Sequence, residues 1–301
     1  MGITTGQQIT TFYNKYKDID VTFTKGVIQA TGLVPSHVFL KCLGDQWPAV
    51  IYSCSMLGAK IVVNARSSLY ETIRKANNLV SLRFSFKLPD KNDPLFFFVS
   101  AKIGGFNPYS KENPDLNFVN LQFTQRPPDD LIEILGNLLE ANINSKKRKE
   151  ERIIVTQDSL RKLGFKGKDA LLYIQGVPRK CIIRDVSFSG AKVIIAGVAK
   201  FLVEKKATLK IEIEENRKVV DIEGTILRYE EVEGRKDLAA LAIKYDEDKV
   251  PMEYKIRIND YLRQIRKSAA TQTDQKINAE EKKANNKQEK QQEQKKEDSN
   301  E

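Results

Sequence analysis

Short apolar-rich segments, separated by Gly, Pro and Asn, fill the first half of the chain, and this pattern predicts β-strands. The intervening segment Asn64–Asn77 is predicted to be a helix. The predicted strands are Asp20–Thr24, His37–Leu43, Trp47–Ser53, Ala59–Asn64, Val80–Lys87, Leu95–Ile103 and Asn117–Thr124. Strands of this length and spacing favour a small antiparallel barrel or sandwich.

The second half of the chain has a similar pattern and ends, like the first, in a predicted helix. Its predicted strands are Arg152–Val155, Ala170–Ile174, Arg179–Asp185, Ala191–Ile195, Thr208–Glu214, Lys218–Tyr229 and Leu238–Tyr245. The helix that ends the first half starts at Pro127-Pro128-Asp129-Asp130, because proline suits the first turn and aspartate favours the helix N-terminus. The second runs from about Met252 to Lys267. The chain is therefore predicted to be mainly β.

Composition changes sharply at the end of the chain. From Ser268 to Glu301 the sequence is rich in Lys, Glu, Gln, Asn and Ala, with Ile277 as its one large aliphatic residue. Such a segment buries too little apolar surface to offset its ordering entropy, so we expect a disordered tail or a transient helix. A boundary near residue 145, where Asn142 and Asn144 weaken the first helix, gives domains 1–144 and 145–267 and the tail 268–301.

The length of 301 residues agrees with two domains of roughly 150 residues each. With 41% hydrophobic and 30% charged residues, the composition excludes a wholly disordered or collagen-like chain. No apolar run approaches the ~20 residues of a membrane span, and the first thirty residues do not resemble a signal peptide. We therefore expect a cytoplasmic protein.

Lys and Arg (50) outnumber Asp and Glu (40), which gives a net charge of +10. The tail contributes −1, since it has seven lysines and eight acidic residues, so the remainder carries +11. The densest basic cluster is Lys146–Arg152, close to the predicted domain boundary. A basic chain predicts an anionic partner, which could be nucleic acid, a membrane surface or a small phosphate ligand.

The two halves also share an internal repeat. Val50–Val63 has the sequence VIYSCSMLGAKIVV, and Ile182–Ile195 has IIRDVSFSGAKVII. Each copy is predicted to be a strand, a tight turn with glycine, and a second strand, in which the glycine supplies a positive φ or allows a close approach to the backbone. The copies differ where chemistry could occur, because Asp185 of the second copy corresponds to Ser53 of the first.

Candidate binding groups are confined to the second copy, in the pattern Arg148-x-x-x-Arg152 followed by Asp185-x-Ser187-x-x-Gly190. Arginine forks bind phosphate in a bidentate manner, stack on a base, or contact guanine O6 and N7. Asp185 can accept hydrogen bonds from the N1–H and N2–H2 donors of guanine. Ser187 can bond to a base or a phosphate, and Gly190 leaves room for a base or ribose. The set suits a small ligand with phosphates and guanine.

At these residues the chain resembles the PilZ domain family of bacterial cyclic di-GMP receptors, whose motif is R-x-x-x-R followed by D/N-x-S-x-x-G. The resemblance covers about residues 145–267, including the GTILRY and LAIKY strands. It implies a six-stranded barrel with the arginine motif in its N-terminal linker. The LRKLGFK insertion and a degenerate PilZ-like first domain look like the two-domain PilZ receptors of spirochaetes. The fold expected is thus two tandem β-barrels, each followed by a helix.

The resemblance also implies how the ligand binds and acts. Lys147 lies where PilZ relatives with a basic residue tend to bind an intercalated ligand dimer, so one or two ligands per domain both remain possible. Arg228 could approach the ligand or be a plain surface residue. Ligand contacts to both linker and barrel would order the linker and change the domain arrangement, which would signal to a protein partner. Motility, virulence and surface behaviour are the processes that the family implies.

Two other classes of function compete with this hypothesis: a general nucleic-acid binder that uses the basic charge, and a ligand-free scaffold. Catalysis has little support, because the chain has no P-loop, dinucleotide fingerprint or GxSxG elbow, so we predict no enzyme, cofactor or metal site. The single histidine, His37, is expected to be structural. Cys42, Cys54 and Cys181 lack metal-binding or disulfide spacing.

Overall fold

A computed structural model of the chain describes residues 5–268 other than 66, 89–92, 114, 198 and 216–217, and it leaves the side chains of 67 and 236 undescribed. Apart from Ser268, the predicted tail 268–301 lies outside the described residues. No helix within the described ranges has both the length and the apolar composition that crossing a membrane requires.

Six α-helices and fourteen β-strands make up the described chain. The helices are α1 (Gly6–Tyr16), α2 (Lys25–Thr31), α3 (Ser67–Lys75), α4 (Asp129–Lys147), α5 (Gln157–Leu163) and α6 (252–268). The strands of the first half are β1 (Val21–Thr22), β2 (Phe39–Cys42), β3 (Asp45–Cys54), β4 (Gly58–Asn64), β5 (Leu79–Phe86), β6 (Leu95–Pro108) and β7 (Leu116–Phe123). Those of the second half are β8 (Ile153–Ile154), β9 (Asp169–Ile174), β10 (Val177–Val186), β11 (Gly190–Ala196), β12 (Lys206–Glu212), β13 (Val219–Val232) and β14 (Arg235–Tyr245).

Each half closes into a six-stranded antiparallel barrel. In the first barrel the strand order is β3-β2-β5-β6-β7-β4, and pairing of β3 with β4 closes the ring. In the second barrel the order is β11-β14-β13-β12-β9-β10, closed by β10 with β11. The two-residue strands β1 and β8 pair with β3 and β10 outside the rings. The predicted fold class, two tandem β-barrels each followed by a helix, is confirmed.

Alternating burial along the strands explains why the barrels form. In β7 the burial alternates along most of the strand, so that one face is apolar and closed while the other meets water. Fully buried side chains fill both barrels, Leu40, Ile61, Leu82, Phe84 and Phe86 in the first, and Leu172, Val193, Leu209, Ile222 and Leu241 in the second. Helix α4 packs one apolar face on the first core through Leu131, Ile132, Leu135, Leu138 and Leu139.

The helices differ most from the sequence prediction. Helix α4 does not weaken at Asn142 and Asn144 but continues to Lys147, because Ala141 is buried and the Asn144 side chain donates a hydrogen bond to Asn259 at 2.6 Å. Helices α1, α2 and α5 were not predicted. His37, predicted to be in a strand, lies exposed in a short 3-10 helix, Pro35–His37.

The internal repeat is longer than the fourteen residues compared above. Helices α2 and α5 both begin after a threonine cap, Thr24 and Thr156, and both end at a glycine with positive φ, Gly32 (71°) and Gly164 (66°). Thr24 and Thr156 are as far apart along the chain as Ser53 and Asp185 are, and so are Gly32 and Gly164. The strands agree as well, since each first strand of the hairpin has a bulge immediately before Ser53 or Asp185.

Candidate ligand-binding site

The basic residues predicted to bind the ligand lie where α4 ends. Lys147 is the last residue of α4, and Arg148 is its C-cap with non-helical backbone angles (φ −126°, ψ 40°). Cations are favourable at a helix C-terminus, which helps to explain the basic run at this point. Residues 148–152 then form the connection to β8, which starts at Ile153. Both arginines of the motif therefore lie at the ends of one short connection.

Strand pairing brings Arg152 to Asp185. In the β8–β10 pair, Ile153 is opposite Val186 and Ile154 is opposite Asp185, so Arg152 precedes β8 directly beside the end of β10. Its Nη1 donates to the Asp185 Oδ1 at 2.7 Å. The Asp185 side chain is 14% exposed and that of Arg152 is 46% exposed, so the pair faces solvent on one side. Two predicted site residues from different elements thus form one ion pair.

Ser187 and Gly190, both predicted to contact the ligand, bond to each other within the β10–β11 hairpin. The Ser187 hydroxyl is buried inside the β10–β11 hairpin, where it accepts a hydrogen bond from the Gly190 amide (3.1 Å) and donates to the Gly190 carbonyl (3.2 Å). A Cβ on Gly190 would lie 2.3 Å from the Ile243 carbonyl oxygen of β14. The neighbouring strand β14 therefore lies where a side chain at this position would be. The glycine permits a close approach of two strands, and its φ is not positive.

A buried tyrosine, which sequence analysis did not single out, donates a hydrogen bond to the backbone of this hairpin. Tyr254, near the start of α6, donates from its hydroxyl to the Ser187 carbonyl at 2.8 Å. Its hydroxyl is 3.4 Å from that of Tyr245 at the end of β14. Burial raises the pKa of both phenols, so both remain protonated donors at neutral pH. The hairpin that holds Asp185 is thus fixed to the helix that closes the barrel.

The connection between α4 and β8 is also held by contacts other than the ion pair. Lys149 Nζ lies 2.7 Å from a Glu247 carboxylate oxygen, and this ammonium lowers the pKa of Glu247. The Ser189 hydroxyl donates to the Lys149 carbonyl at 2.8 Å. Sequence analysis missed Lys149, Ser189 and Glu247, because the partners are distant along the chain. Together with the Arg152–Asp185 pair, these contacts hold the connection against the second barrel.

A second group of charges lies beside Asp185 on the outer face of the barrel. Lys192 of β11 is the direct cross-strand neighbour of Asp185, but its ammonium pairs with the Glu230 carboxylate of β13. Arg228, also on β13, donates from Nε to Glu230 at 3.2 Å. Lys192 and Arg228, each in hydrogen-bond contact, lower the pKa of Glu230, with Lys192 as the larger cause. One carboxylate therefore holds two cations near the predicted site.

The first barrel cannot form an equivalent set of binding groups. At the separation set by the repeat, Arg148 corresponds to Tyr16 and Arg152 to Asp20, while Asp185 corresponds to Ser53. Tyr16 is 2% exposed and packs in the core of the first barrel. Lys15 and Lys17 are the only basic residues near that connection. The charged groups predicted to contact a ligand thus belong to the second barrel alone.

The described residues contain no group of three His, Cys, Asp or Glu side chains that could hold a metal ion. Cys42, Cys54 and Cys181 are free and buried. Burial raises the pKa of all three thiols, and that of Cys181 to about 12. Such thiols are poor nucleophiles at neutral pH.

Comparison with known proteins assigns a family model to each half. Residues 7–142 match the PilZN3 domain, and residues 146–264 match the PilZ domain. A curated relative from Treponema denticola, named cyclic di-GMP binding protein, is 45% identical over 270 residues, which is 90% of this chain and 86% of that protein.

Two solved structures are also similar to the chain. One is the crystal structure of the Borreliella burgdorferi PlzA protein in complex with c-di-GMP, with 28% identity, 85% of this chain and 98% of that chain covered, and a TM-score of 0.39. The other is YcgR from Escherichia coli in complex with c-di-GMP, with 11% identity, 83% and 91% covered, and a TM-score of 0.28.

Proposed function

The chain belongs to the PilZ family, in its tandem form with a PilZN3 and a PilZ domain, and from this premise we propose that it is a receptor for cyclic di-GMP. The ligand binds to the second barrel and the connection that precedes it. The name of the relative with 45% identity supports this ligand. No catalytic role is proposed, since the PilZ family consists of receptors and the buried thiols are poor nucleophiles.

The observation that carries the proposal is the meeting of Arg152 with Asp185 at 2.7 Å. A linker arginine and a barrel aspartate, 33 residues apart in the chain, are brought to one solvent-facing spot. The carboxylate can accept from the guanine N1–H and N2–H2 donors, and the arginine forks of Arg152 and Arg148 can bind phosphate or the guanine edge. Among the described residues, the Arg148 guanidinium has no hydrogen-bond partner, so it is available to a ligand.

Ser187 and Gly190 contribute to the proposed site by shaping the hairpin that presents Asp185, in addition to any contact of their own. Lys147, exposed at the end of α4, extends the cationic surface and is proposed to contact a ligand phosphate. With three basic residues in reach, either one ligand or an intercalated pair is compatible with the site. The stoichiometry measured by calorimetry decides between the two.

Ligand binding is proposed to act on the connection 148–152. A guanine that engages Asp185 competes with Arg152 for the carboxylate, so the contacts that hold the connection change on binding. Because the connection continues directly into α4, the change passes to the domain boundary and from there to a protein partner. A ligand can shift such an equilibrium only by its different affinity for the two arrangements. The division into domains 1–144 and 145–267 and the tail 268–301 remains part of this proposal.

Isothermal titration calorimetry with cyclic di-GMP tests the binding step. We expect Arg148→Ala, Arg152→Ala and Asp185→Ala each to weaken binding about tenfold to a hundredfold, since each removes a charged hydrogen-bonding group. Arg161→Ala and Asp158→Ala, which disrupt an exposed ion pair on α5 of the same domain, serve as matched controls and should leave the affinity unchanged. Wild-type affinity weaker than about 100 μM would refute the proposal, as would equal affinity for GTP, cyclic di-AMP or single-stranded DNA.

Small-angle scattering with and without the ligand tests the signalling step. We expect a change in the scattering profile on saturation of the wild-type protein and none for Asp185→Ala. Unchanged scattering of a fully liganded wild-type protein would reject the rearrangement and leave the receptor assignment standing.

A further inference from the structure

On the basis of the proposed function, we infer that the ligand surface extends across three more strands to Lys192 and Arg228, and that Glu230 occupies this second subsite when no ligand is bound. The subsite takes the second phosphate-bearing half of the cyclic dinucleotide. Glu230 acts as an internal carboxylate competitor that the ligand phosphate displaces. Neither Lys192 nor Glu230 belongs to the Arg-x-x-x-Arg or Asp-x-Ser-x-x-Gly motifs.

Strand register places these residues in one row. Asp185 of β10 is opposite Lys192 of β11, Lys192 is opposite Ala242 of β14, and Ala242 is opposite Arg228 of β13. Direct cross-strand neighbours point to the same face of a sheet. Since adjacent strands lie about 4.8 Å apart, the row spans about 14 Å from Asp185 to Arg228. A ligand anchored at Asp185 and Arg152 is therefore next to Lys192 and one small residue away from Arg228.

The small residue makes the row a shallow groove. Ala242 stands between the two long cationic side chains of Lys192 and Arg228, and its neighbour Ala240 lies between Ile194 and Glu230. Both alanines are buried, and the Lys192–Glu230 ion pair joins β11 to β13 across the strand on which they lie. Once Glu230 is displaced from Lys192, β14 offers a flat floor between the two cations. A flat floor of this kind can accept a ribose or base between charged walls.

The Glu230 carboxylate resembles a phosphate group in its negative charge and in the way its two oxygens accept hydrogen bonds. Its two oxygens each accept from a different cation, Oε2 from Lys192 and Oε1 from Arg228, as two oxygens of a phosphodiester would. The carboxylate is 42% exposed and Arg228 is 68% exposed, so the contacts are open to exchange with a solute anion. Exposed ion pairs of this type contribute little to stability, so little is lost when the ligand replaces one.

The first barrel provides an internal comparison. In the corresponding row, Lys60 is opposite Asn120, and Asn120 is opposite Gly105, with the same strand bulge beside Gly105 as beside Arg228. The position of Glu230 is taken by Asn107 in that barrel. The lysine is thus common to both barrels, whereas the arginine and the carboxylate occur only in the barrel that also has Arg148, Arg152 and Asp185. Their joint presence links them to the ligand and not to the barrel fold.

Calorimetric titration of the full chain with cyclic di-GMP tests the inference. We expect Lys192→Ala and Arg228→Ala to raise the Kd about fivefold to twentyfold, and Glu230→Gln, which removes the competitor but keeps the shape, to lower the Kd about threefold or more. Arg235→Ala and Asp237→Asn are matched controls for net charge, because this ion pair lies on the same β13–β14 hairpin outside the row. Both controls should retain the wild-type Kd.

The outcomes separate this inference from the proposed function. If Arg152→Ala weakens binding as expected while Lys192→Ala and Arg228→Ala match the Arg235→Ala control, the second subsite is refuted and the receptor assignment holds. If Glu230→Gln weakens binding as Lys192→Ala does, Glu230 positions the cations and does not compete, which overturns that part of the inference. If the wild-type chain does not bind cyclic di-GMP, the proposed function itself fails.

Discussion

The ring of Phe12 occupies the place in which a side chain on Gly136 would lie. A Cβ at Gly136 would be 2.3 Å from Phe12 Cδ2, so α1 and α4 touch at a glycine in the middle of α4. Glycine costs about 1 kcal/mol relative to alanine within a helix. The close helix contact offsets this cost, and it holds the helix that ends at the proposed ligand-binding connection.

Gly136→Ala should lower the free energy of unfolding of the first barrel by about 1–2 kcal/mol, because the cost of overpacking outweighs the gain in helix propensity. Trp47 is the single tryptophan and lies on β3, so its fluorescence in a urea titration reports this barrel. Gly26→Ala on α2, where the nearest atom is 4.0 Å away, is the control and should be neutral or stabilising. A Gly136→Ala midpoint equal to or above that of the wild type would contradict the contact.

The hairpin glycines give a prediction for each barrel. Gly58→Ala and Gly190→Ala place a Cβ 2.4 Å from the Leu121 carbonyl and 2.3 Å from the Ile243 carbonyl, and backbone atoms cannot move aside as a side chain would. Each should destabilise its barrel by about 1–3 kcal/mol or more. Only Gly58→Ala should shift the Trp47 transition, whereas both should shift the circular-dichroism transition. Gly105→Ala, with no atom within 4 Å, should leave the stability within about 0.5 kcal/mol of wild type.

Removal of one phenol hydroxyl tests the support under the Asp185 hairpin. Tyr254→Phe leaves the buried Ser187 carbonyl without this donor and should cost about 1–3 kcal/mol in unfolding free energy. Tyr245→Phe removes only the 3.4 Å contact between the two hydroxyls and should cost less. Amide hydrogen exchange should accelerate at Ser187–Gly190 in Tyr254→Phe. Equal effects of the two variants would show that the Ser187 contact does not matter.

The three thiols should undergo thiol–disulfide exchange only slowly in the native protein. Burial raises the pKa of Cys181 to about 12 and raises those of Cys42 and Cys54, so the reactive thiolate is scarce at pH 8 and its fraction grows only at higher pH. Reaction with Ellman's reagent at pH 8 should be at least about a hundredfold slower than for the exposed thiol of Ser268→Cys, and should become complete on denaturation. Fast reaction of a native wild-type thiol would contradict the burial.

Most of the strands could be predicted from periodicity, whereas the helices α1, α2 and α5 were missed. The strand segments were found because each apolar run matches one strand, although β6 continues to Pro108, five residues beyond its predicted end. Helix α5 was missed because seven residues give too short a period, yet its capping box at Thr156 and Ser159 and its terminal Gly164 are visible signals. The asparagines of α4 weaken a helix locally, but tertiary contacts such as that of Asn144 with Asn259 outweigh this preference. No short sequence window contains both partners of such a contact.

The sequence motif does not separate residues that shape the hairpin from residues that are free to meet a ligand. Ser55 and Gly58 in the first barrel form the same turn as Ser187 and Gly190, in a copy that has no arginine or aspartate to bind a ligand. The serine and glycine of the motif therefore shape the hairpin in both barrels, whereas the arginines and the aspartate, which are proposed to bind the ligand, occur only in the second. Arg228 was already named from the sequence as a residue that could approach the ligand, but Lys192 and Glu230 could not be found from spacing, because strand register alone brings them near Asp185.

The two-residue strand β8 has a consequence for how such receptors can diverge. Because β8 fixes Arg152 to the barrel through the backbone, the 2.7 Å contact with Asp185 does not depend on the length of the chain that precedes Arg148. Residues inserted or deleted within α4 would rotate or displace Lys147 and Arg148 but leave Arg152 in place. In the proposed site, Arg152 and Asp185 therefore belong to the barrel, whereas Lys147 and Arg148 belong to the preceding helix. A different helix or domain could be attached there without loss of the Arg152–Asp185 contact.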